Sequence, residues 1–150
     1  MIQLTFDKNA FTRPDAVLLF PFYQGQLLFA RHKQRGWELP GGKIEENEWP
    51  IHAAIRELYE ETGAETESIV PIAQYHIIEQ ERRSTKQIYV ARAARIHSRP
   101  AGFETEGYRL FQVPPAYDEI LNDARFSDHM KDQVYPIALE YILQDKHLYG

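Results

Sequence analysis

The sequence predicts an α/β fold in which a mixed sheet packs against a central acidic helix and a C-terminal helix. Three observations lead to this prediction. Short apolar segments typical of strands occur on both sides of residues 48–62. Residues 48–62 have helical periodicity, with three glutamates on one face. A second helical pattern occupies residues 128–147, and no linker or repeat interrupts the chain, so we expect one domain over residues 1–150.

The strands are predicted from alternating or continuous apolar runs bounded by turn residues. In chain order they span residues 2–6, 16–22, 27–31, 69–79, 87–96 and 108–113. Residues 23–26, Tyr-Gln-Gly-Gln, form a turn sequence, so the second and third strands should make a hairpin. The charged residues 81–84 should join the next two strands.

The helix over residues 48–62 is predicted from an apolar face and two end signals. Its apolar face consists of Ala53, Ala54, Ile55 and Leu58. Asn47 is the expected N-cap, and Gly63 is expected to end the helix in a left-handed conformation. 

The C-terminal third is predicted to be helical. Pro114 and Pro115 should open a short helix that ends near Leu121. Pro136 should kink the last helix or mark a restart. The expected apolar face of that helix consists of Ile137, Ala138, Tyr141 and Ile142.

Composition excludes several classes of protein. The 150 residues include no Cys, so disulfide frameworks and thiolate zinc sites are excluded. The net charge of −5 argues against a duplex DNA partner. Neither an 18-residue apolar run nor a signal-peptide pattern occurs, so we expect a cytoplasmic location and no membrane partner. A local basic cluster at residues 31–35 is either a solvated loop or a phosphate-binding surface.

The acidic face of the central helix has the chemistry of a metal site. Glu57, Glu60 and Glu61 stand at i, i+3 and i+4, where each like-charge pair costs roughly 0.2–0.5 kcal/mol unless a cation lies among them. Carboxylate and backbone carbonyl oxygens suit Mg²⁺ or Mn²⁺. The preceding Pro-Gly-Gly turn, which includes Gly42, allows the backbone to approach a ligand closely. The alternative is a solvated acidic face.

The spacing of seven residues in this region resembles the Nudix box. These residues are Gly42, Glu48, Arg56, Glu57, Glu60, Glu61 and Gly63. A chance match of seven fixed identities arises on the order of once in a million sequences. The resemblance implies the Nudix α/β/α sandwich and an enzyme in which a metal-held water attacks a phosphorus of a nucleotide anhydride.

The resemblance also implies roles for individual residues. Glu57, Glu60 and Glu61 and the carbonyl of Gly42 correspond to the metal shell. Glu57 and Glu60 are also expected to be catalytic, and Arg56 and Glu48 form the pair that orients the carboxylates. Outside the box, Glu104 is the first choice, ahead of Glu106, for a further ligand or base. Ala64 departs from the pattern, which prefers a bulky aliphatic residue there; we interpret this as a packing change.

The family's substrate signatures narrow the expected substrate. Those of the coenzyme A, ADP-ribose and dinucleoside polyphosphate subgroups are missing at the corresponding positions, so the sequence is most similar to the MutT-like nucleoside triphosphate group. Similarity to a bacterial branch of that group extends to residues 36–38, 103–105, 126–127 and 130–132. This implies release of pyrophosphate from purine nucleoside triphosphates, including oxidised guanine forms. The alternatives are RNA 5′-triphosphate ends, a dinucleotide or nucleotide-sugar substrate, and a non-catalytic nucleotide-sensing module.

Five residues are candidates for substrate binding: Arg31, Trp37, Lys43, Tyr75 and Asn122. Arg31 belongs to the basic cluster beside the expected phosphates. Trp37 and Tyr75 would stack on a base, and the Asn122 amide would read a guanine edge. Alternatively, Asn122 only ends the helix after Leu121. The six histidines show no ligand spacing and are expected to be surface or packing residues.

Overall fold

The computed structural model describes residues 2–98 and 104–150. The strands are β1 (Ile2–Thr5), β2 (Ala16–Tyr23), β3 (Gln26–His32), β4 (Gly36–Glu38), β5 (Gly41–Lys43), β6 (Ala64–Glu79), β7 (Arg82–Ile96) and β8 (Thr105–Phe111). The helices are α1 (Pro50–Thr62), α2 (Tyr117–Leu121), α3 (Val134–Leu143) and α4 (Lys146–Tyr149), with short 3₁₀ helices at Lys8–Ala10 and Asp128–Met130. Residue 103, part of the similarity noted above, lies outside the described residues.

The eight strands form one mixed sheet in the order β1-β6-β7-β2-β3-β4. Strands β2 and β7 are parallel, with Val17 opposite Gln87. The other pairs are antiparallel, including the predicted β2–β3 hairpin. The short strand β5 pairs with β2, which places Gly42 opposite Val17, and β8 pairs with β3. The two-glycine segment is therefore fixed to the centre of the sheet.

Period-2 alternation along β2 divides the core into two layers. Val17 and Leu19 pack in the cluster that contains Leu58 of α1. Phe20 and Phe22 point to the opposite face, into the cluster that contains residues of α3. A sheet that is apolar on both faces requires a helix layer on each. The predicted α/β/α sandwich, with the acidic helix on one face and the C-terminal helices on the other, is confirmed.

Helix α1 begins two residues later than predicted. Pro50 occupies its first turn and Trp49 is the N-cap residue, without a side-chain capping bond. The predicted N-cap, Asn47, is wrong: it lies in a loop with φ of 64°. A residue before proline is disfavoured in the α conformation, so the helix starts at Pro50. Gly63 ends the helix with φ of 80°, as predicted.

The predicted helix over residues 128–147 is wrong as a single element. The chain forms a 3₁₀ helix, then α3, then α4. Asp132 and Asp145 each accept a backbone N–H two residues ahead at 2.9 Å, and thereby start α3 and α4 separately. Pro136 lies in the first turn of α3. A backbone N–H there has no partner within the helix, so the missing N–H of proline costs no hydrogen bond.

The buried face of α3 also differs from the prediction. Ala138, Leu139 and Ile142 are buried, whereas Ile137 and Tyr141 are about two-fifths exposed. Of the four predicted residues, Ala138 and Ile142 are buried as expected, and the exposure of Ile137 and Tyr141 is a correction. 

Two further boundaries differ from the prediction. The turn between β6 and β7 is Gln80-Glu81, both with positive φ, so residues 82–84 belong to β7 rather than to a linker. Strand β8 begins at Thr105 and ends at Phe111. No helix in the described part of the chain has the length and apolar character needed to cross a membrane.

Candidate active site

Arg56 organises the acidic face of α1. Its guanidinium makes a two-pronged bond to Glu48, with Nε and Nη2 at 2.8 and 2.9 Å from the carboxylate oxygens. Nη1 donates to Glu57 at 2.9 Å and to Glu60 at 3.4 Å. Nη2 also donates to the backbone carbonyl of Lys43 at 3.2 Å. One side chain therefore joins the loop before the helix, strand β5 and two box glutamates.

Glu48 takes this position because it lies in the loop and not in α1. Besides Arg56, it accepts the backbone N–H of Glu45 at 3.0 Å. The hydrogen bond from Arg56 and the backbone bond lower the pKa of Glu48 to about 2. The contact with Glu48 in turn raises the pKa of Arg56. Both groups stay charged at neutral pH, so the pair is a fixed support for the neighbouring carboxylates.

Gly42 is in close contact with Glu57. A Cβ added at Gly42 would lie 2.5 Å from Glu57 Oε1, so any side chain at this position would displace that carboxylate. Burial raises the pKa of Glu57, and the charge of Arg56 partly opposes this shift. The backbone of β5 and the carboxylate thus meet without an intervening side chain.

Glu61 is the most deeply buried carboxylate of the box. Its Oε2 accepts the backbone N–H of Gly41 at 2.8 Å. Burial, followed by the nearby charge of Glu57, raises its pKa well above the ordinary range. Among the described residues no cationic side chain pairs with it at short range. Such a carboxylate is costly unless a proton or a cation neutralises it.

These groups fit a hard divalent cation in chemical type. Glu57, Glu60, Glu61 and the carbonyl of Gly42 are oxygen donors gathered where α1 meets β5. In the described conformation Glu57 and Glu60 turn to Arg56, and residues 2–98 and 104–150 contain no preformed cluster of three metal-ligating side chains. Occupancy by a cation would require these carboxylates to reorient.

Glu104 lies near the C-terminal end of α1. The next residue, Thr105, donates its hydroxyl to the backbone carbonyl of Glu61 at 2.9 Å. The Glu104 carboxylate is exposed and lies 3.4 Å from Nε2 of buried His32. Glu106 instead faces Arg31 at 3.5 Å. Both glutamates therefore have a partner in the described conformation, and the choice of Glu104 ahead of Glu106 stays a prediction.

A cavity of about 160 Å³, lined by both charged and apolar side chains, opens beside the two glycines. Tyr75, predicted to stack on a base, lines it and is almost fully buried. Arg35 and Glu38 form a two-pronged pair at its wall, with distances of 3.1 and 2.8 Å. Burial opposes ionisation of Glu38, but the bonds from Arg35 and Ser127 outweigh it and lower the pKa. The charges of Arg35 and Glu38 therefore neutralise each other.

Three further polar side chains in this cavity were missed by sequence reasoning: Lys86, His129 and Asp132. Lys86 lies in the polar first part of β7, before the apolar run that begins at Ile88, so its position in the sequence carries no signal of its place in the cavity. Burial lowers the pKa of Lys86 and of His129 and raises that of Asp132. 

Trp37 lines a different cavity, of about 310 Å³, on the other side of β4. The residues with charged side chains around it are Arg31, Lys33, Arg35 and Arg125. The guanidinium of Arg31 lies 5.9 Å from the Trp37 ring centre. Arg125 is held by Asp123, whose pKa falls to about 2 through these bonds. Trp37 and Tyr75 therefore do not lie in one cavity, although Arg35 lines both.

The other two predicted substrate contacts lie elsewhere. Asn122 follows α2 and donates its amide to the backbone carbonyl of Asp118 at 2.8 Å, an arrangement that ends a helix. It is not among the described residues that line either cavity. Lys43 has an exposed side chain, and its carbonyl accepts the bond from Arg56.

Several known proteins resemble this chain over most of its length. A family model described as the NUDIX domain matches residues 12–132. The chain is 37% identical over 140 residues, 93% of this chain and 87% of the relative, to YtkD of Bacillus subtilis, provisionally named an 8-oxo-dGTP diphosphatase. A crystal structure of a point mutant of the Bacillus subtilis pyrophosphohydrolase BsRppH has a TM-score of 0.89 at 35% identity, and the match covers 95% of this chain and 90% of that one. An RNA pyrophosphohydrolase of Aeromonas hydrophila is 37% identical over 62 residues, 41% of this chain and 35% of that protein.

Proposed function

The chain belongs to the Nudix family of hydrolases, which act on phosphoric anhydrides, and from that premise we propose that it hydrolyses purine nucleoside triphosphates, including the 8-oxo form of guanine nucleotides, to the monophosphate and pyrophosphate. One observation carries the proposal. The Arg56 network and Glu61 meet the glycine backbone at the edge of a cavity of about 160 Å³. The site proposed for the phosphates and the cavity proposed for the base are thus contiguous.

Nudix hydrolases use divalent metal ions, and Mg²⁺ is the proposed ion, with Mn²⁺ as the alternative. Glu57, Glu60, Glu61 and the carbonyl of Gly42 would hold it. When bound, the cation neutralises phosphate charge and lowers the pKa of the attacking water. The remaining chemistry falls to the chain itself. Before a cation enters, Arg56, fixed by Glu48, holds Glu57 and Glu60, while Gly41 holds Glu61.

The burial of Glu57 and Glu61 and the exposure of Glu104 suggest different roles for these glutamates in an in-line displacement. Glu57 and Glu61 have raised pKa values because they are buried, so each gains from any positive charge that enters the site. Glu104, exposed next to the end of α1, is free to act as a proton acceptor outside the box.

RNA with a 5′-triphosphate is the second candidate substrate. The cavity around Trp37 supports it, because its charged lining residues are cationic and an indole is available for base stacking. A relative named RNA pyrophosphohydrolase covers 41% of the chain. A nucleotide-sugar or dinucleotide substrate shares the same metal chemistry but would yield two monophosphates.

The test is a substrate panel assayed with Mg²⁺. We expect kcat/KM for 8-oxo-dGTP and dGTP to exceed that for dCTP by at least ~10-fold, because a site built to bond a purine leaves polar groups unpaired with other bases. Equal values for all three nucleotides would refute the purine assignment. A triphosphorylated oligonucleotide that surpasses every free nucleotide would establish the RNA alternative. 

A further inference from the structure

We propose that Lys86 and Asp132 read the nucleobase and select guanine over adenine. The proposal rests on the proposed function, because it names the base that the same site accepts. It assigns a task to two charged side chains that the hydrolytic machinery of α1 and β5 does not use.

Both side chains line the cavity beside Gly41 and Gly42, and they come from different segments of the chain. Lys86 comes from β7, and its ammonium lies 5.8 Å from the ring centre of Tyr75. Asp132 comes from the segment before α3 and interacts electrostatically with Lys86. Within residues 2–98 and 104–150, neither has an ion-pair partner within 4.0 Å.

Without a ligand, the burial of these two charged groups costs free energy. Both side chains are more than half buried, and burial shifts both pKa values towards the neutral form. The neighbouring charges relieve only part of this cost. Asp132 and Glu38 favour the charged form of Lys86, and Lys86 and His129 favour that of Asp132, but burial outweighs them in both cases. Two partly buried side chains of opposite charge thus face the cavity and do not form an ion pair with each other. Such an arrangement suits a ligand that has both hydrogen-bond donors and an acceptor.

The edge of guanine supplies that combination. Its O6 accepts a hydrogen bond, while N1–H and the 2-amino group donate. The Lys86 ammonium would donate to O6, and the Asp132 carboxylate would accept from N1–H and the 2-amino group. Adenine has an amine at position 6 and an acceptor at N1, so it would oppose both residues. Tyr75, on the cavity wall, offers an aromatic surface to the ring.

Asp132 also has a structural task, which the test must separate. Its Oδ1 accepts the N–H of Val134 at 2.9 Å and starts α3. Asp145 makes the same bond, also at 2.9 Å, to the N–H of His147 at the start of α4, but it does not line the cavity among the described residues. Asp145→Asn is therefore a control for the loss of an aspartate charge that accepts a backbone N–H two residues ahead at a helix start.

The decisive variant is Asp132→Asn, because an amide oxygen keeps the cap while the amide N–H₂ replaces an acceptor with a donor. Xanthine carries an oxygen where guanine has the 2-amino group. We measure kcat/KM for GTP, ITP, XTP and ATP with parent, Asp132→Asn, Asp145→Asn and Lys86→Met. The readout is a ratio between nucleotides on one protein, so changes in folding or metal binding cancel.

In the parent we expect GTP to exceed ITP by about 10-fold, the effect of one hydrogen bond to a charged group, and to exceed ATP by more. Asp132→Asn should change the GTP/XTP ratio at least ~10²-fold in favour of XTP, and Lys86→Met should reduce the GTP/ATP ratio at least ~10-fold. Asp145→Asn should leave every ratio unchanged. Equal GTP and ATP rates in the parent, or a GTP/XTP ratio that Asp132→Asn does not alter, would overturn the inference while leaving triphosphate hydrolysis intact. If no triphosphate releases pyrophosphate, the proposed function itself fails.

Discussion

Replacement of Glu61 by Gln separates the metal role of this residue from its role in folding. The Glu61 carboxylate is buried, accepts one backbone bond and lies near the charge of Glu57. The Gln side chain keeps the oxygen that faces Gly41 and removes the charge. In chelator, we expect Glu61→Gln to be more stable than the parent by about 0.5–1 kcal/mol, since a buried like-charge contact disappears. For a chain of this size that corresponds to a rise in Tm of ~1–4 °C.

In Mg²⁺, we expect the parent to be more stable than Glu61→Gln. A cation at 100 times its dissociation constant stabilises the parent by ~2.7 kcal/mol, or roughly 5–11 °C in Tm. The Gln variant should lose most of that shift, and its turnover should fall by at least ~10², the scale of lost electrostatic stabilisation. 

The assay is thermal unfolding in chelator and in Mg²⁺, paired with pyrophosphate release. Glu67→Gln is the control, since Glu67 is an exposed acid on β6 outside the box. A Glu61→Gln variant that retains the full Mg²⁺-dependent shift and near-normal turnover would refute the assignment of Glu61 to the metal shell.

Three further perturbations test other parts of the account. Arg56→Lys should lower kcat/KM at least ~10-fold in a pyrophosphate-release assay, because one ammonium cannot reproduce the two-pronged bond; a fully active variant would contradict this. Gly42→Ala should lower kcat at least ~10-fold while the circular dichroism spectrum is kept, because the added Cβ would lie 2.5 Å from Glu57 Oε1; Gly107→Ala, where no atom lies within 4 Å of the added Cβ, is the control and should be unaffected. Burial lowers the pKa of His76, so the unfolded chain binds its proton first, and stability should fall as pH drops below ~6.5 and level off below the folded-state pKa. His76→Gln should lose less stability between pH 7 and pH 5 in denaturant titrations, and identical losses would exclude this contribution.

The sequence predicted the layers of the fold because hydrophobic periodicity reports which face of an element is buried. Val17 and Leu19 alternate with Phe20 and Phe22, and this pattern requires helices on both sides of the sheet. Helix starts were less predictable. Helix α1 starts at Pro50, two residues later than predicted. Glu48 therefore lies in the loop, where both of its carboxylate oxygens accept hydrogen bonds from the Arg56 guanidinium.

The box residues could be assigned from sequence because their offsets lie on one helix and the adjoining loop. The cavity could not, because its polar residues come from distant segments. Lys86 and Asp132 meet only after β7 pairs with β2 and the C-terminal helices cover the sheet. The separation of Trp37 and Tyr75 into two cavities has the same origin, since it depends on which side of β4 each ring occupies. Asn122 looked suitable by chemistry alone, and its local bond to Asp118 appears only in the folded chain.

The products released from GTP test the central claim most directly. We propose that hydrolysis takes place where α1 meets β5. The triphosphate chain would lie at the glycines, and the base would lie in the adjoining cavity. Phosphorus NMR of a reaction with GTP and Mg²⁺ should show GMP and pyrophosphate in equal amounts, and no turnover when Mg²⁺ is chelated. Formation of GDP and inorganic phosphate, or undiminished turnover in chelator, would contradict the account.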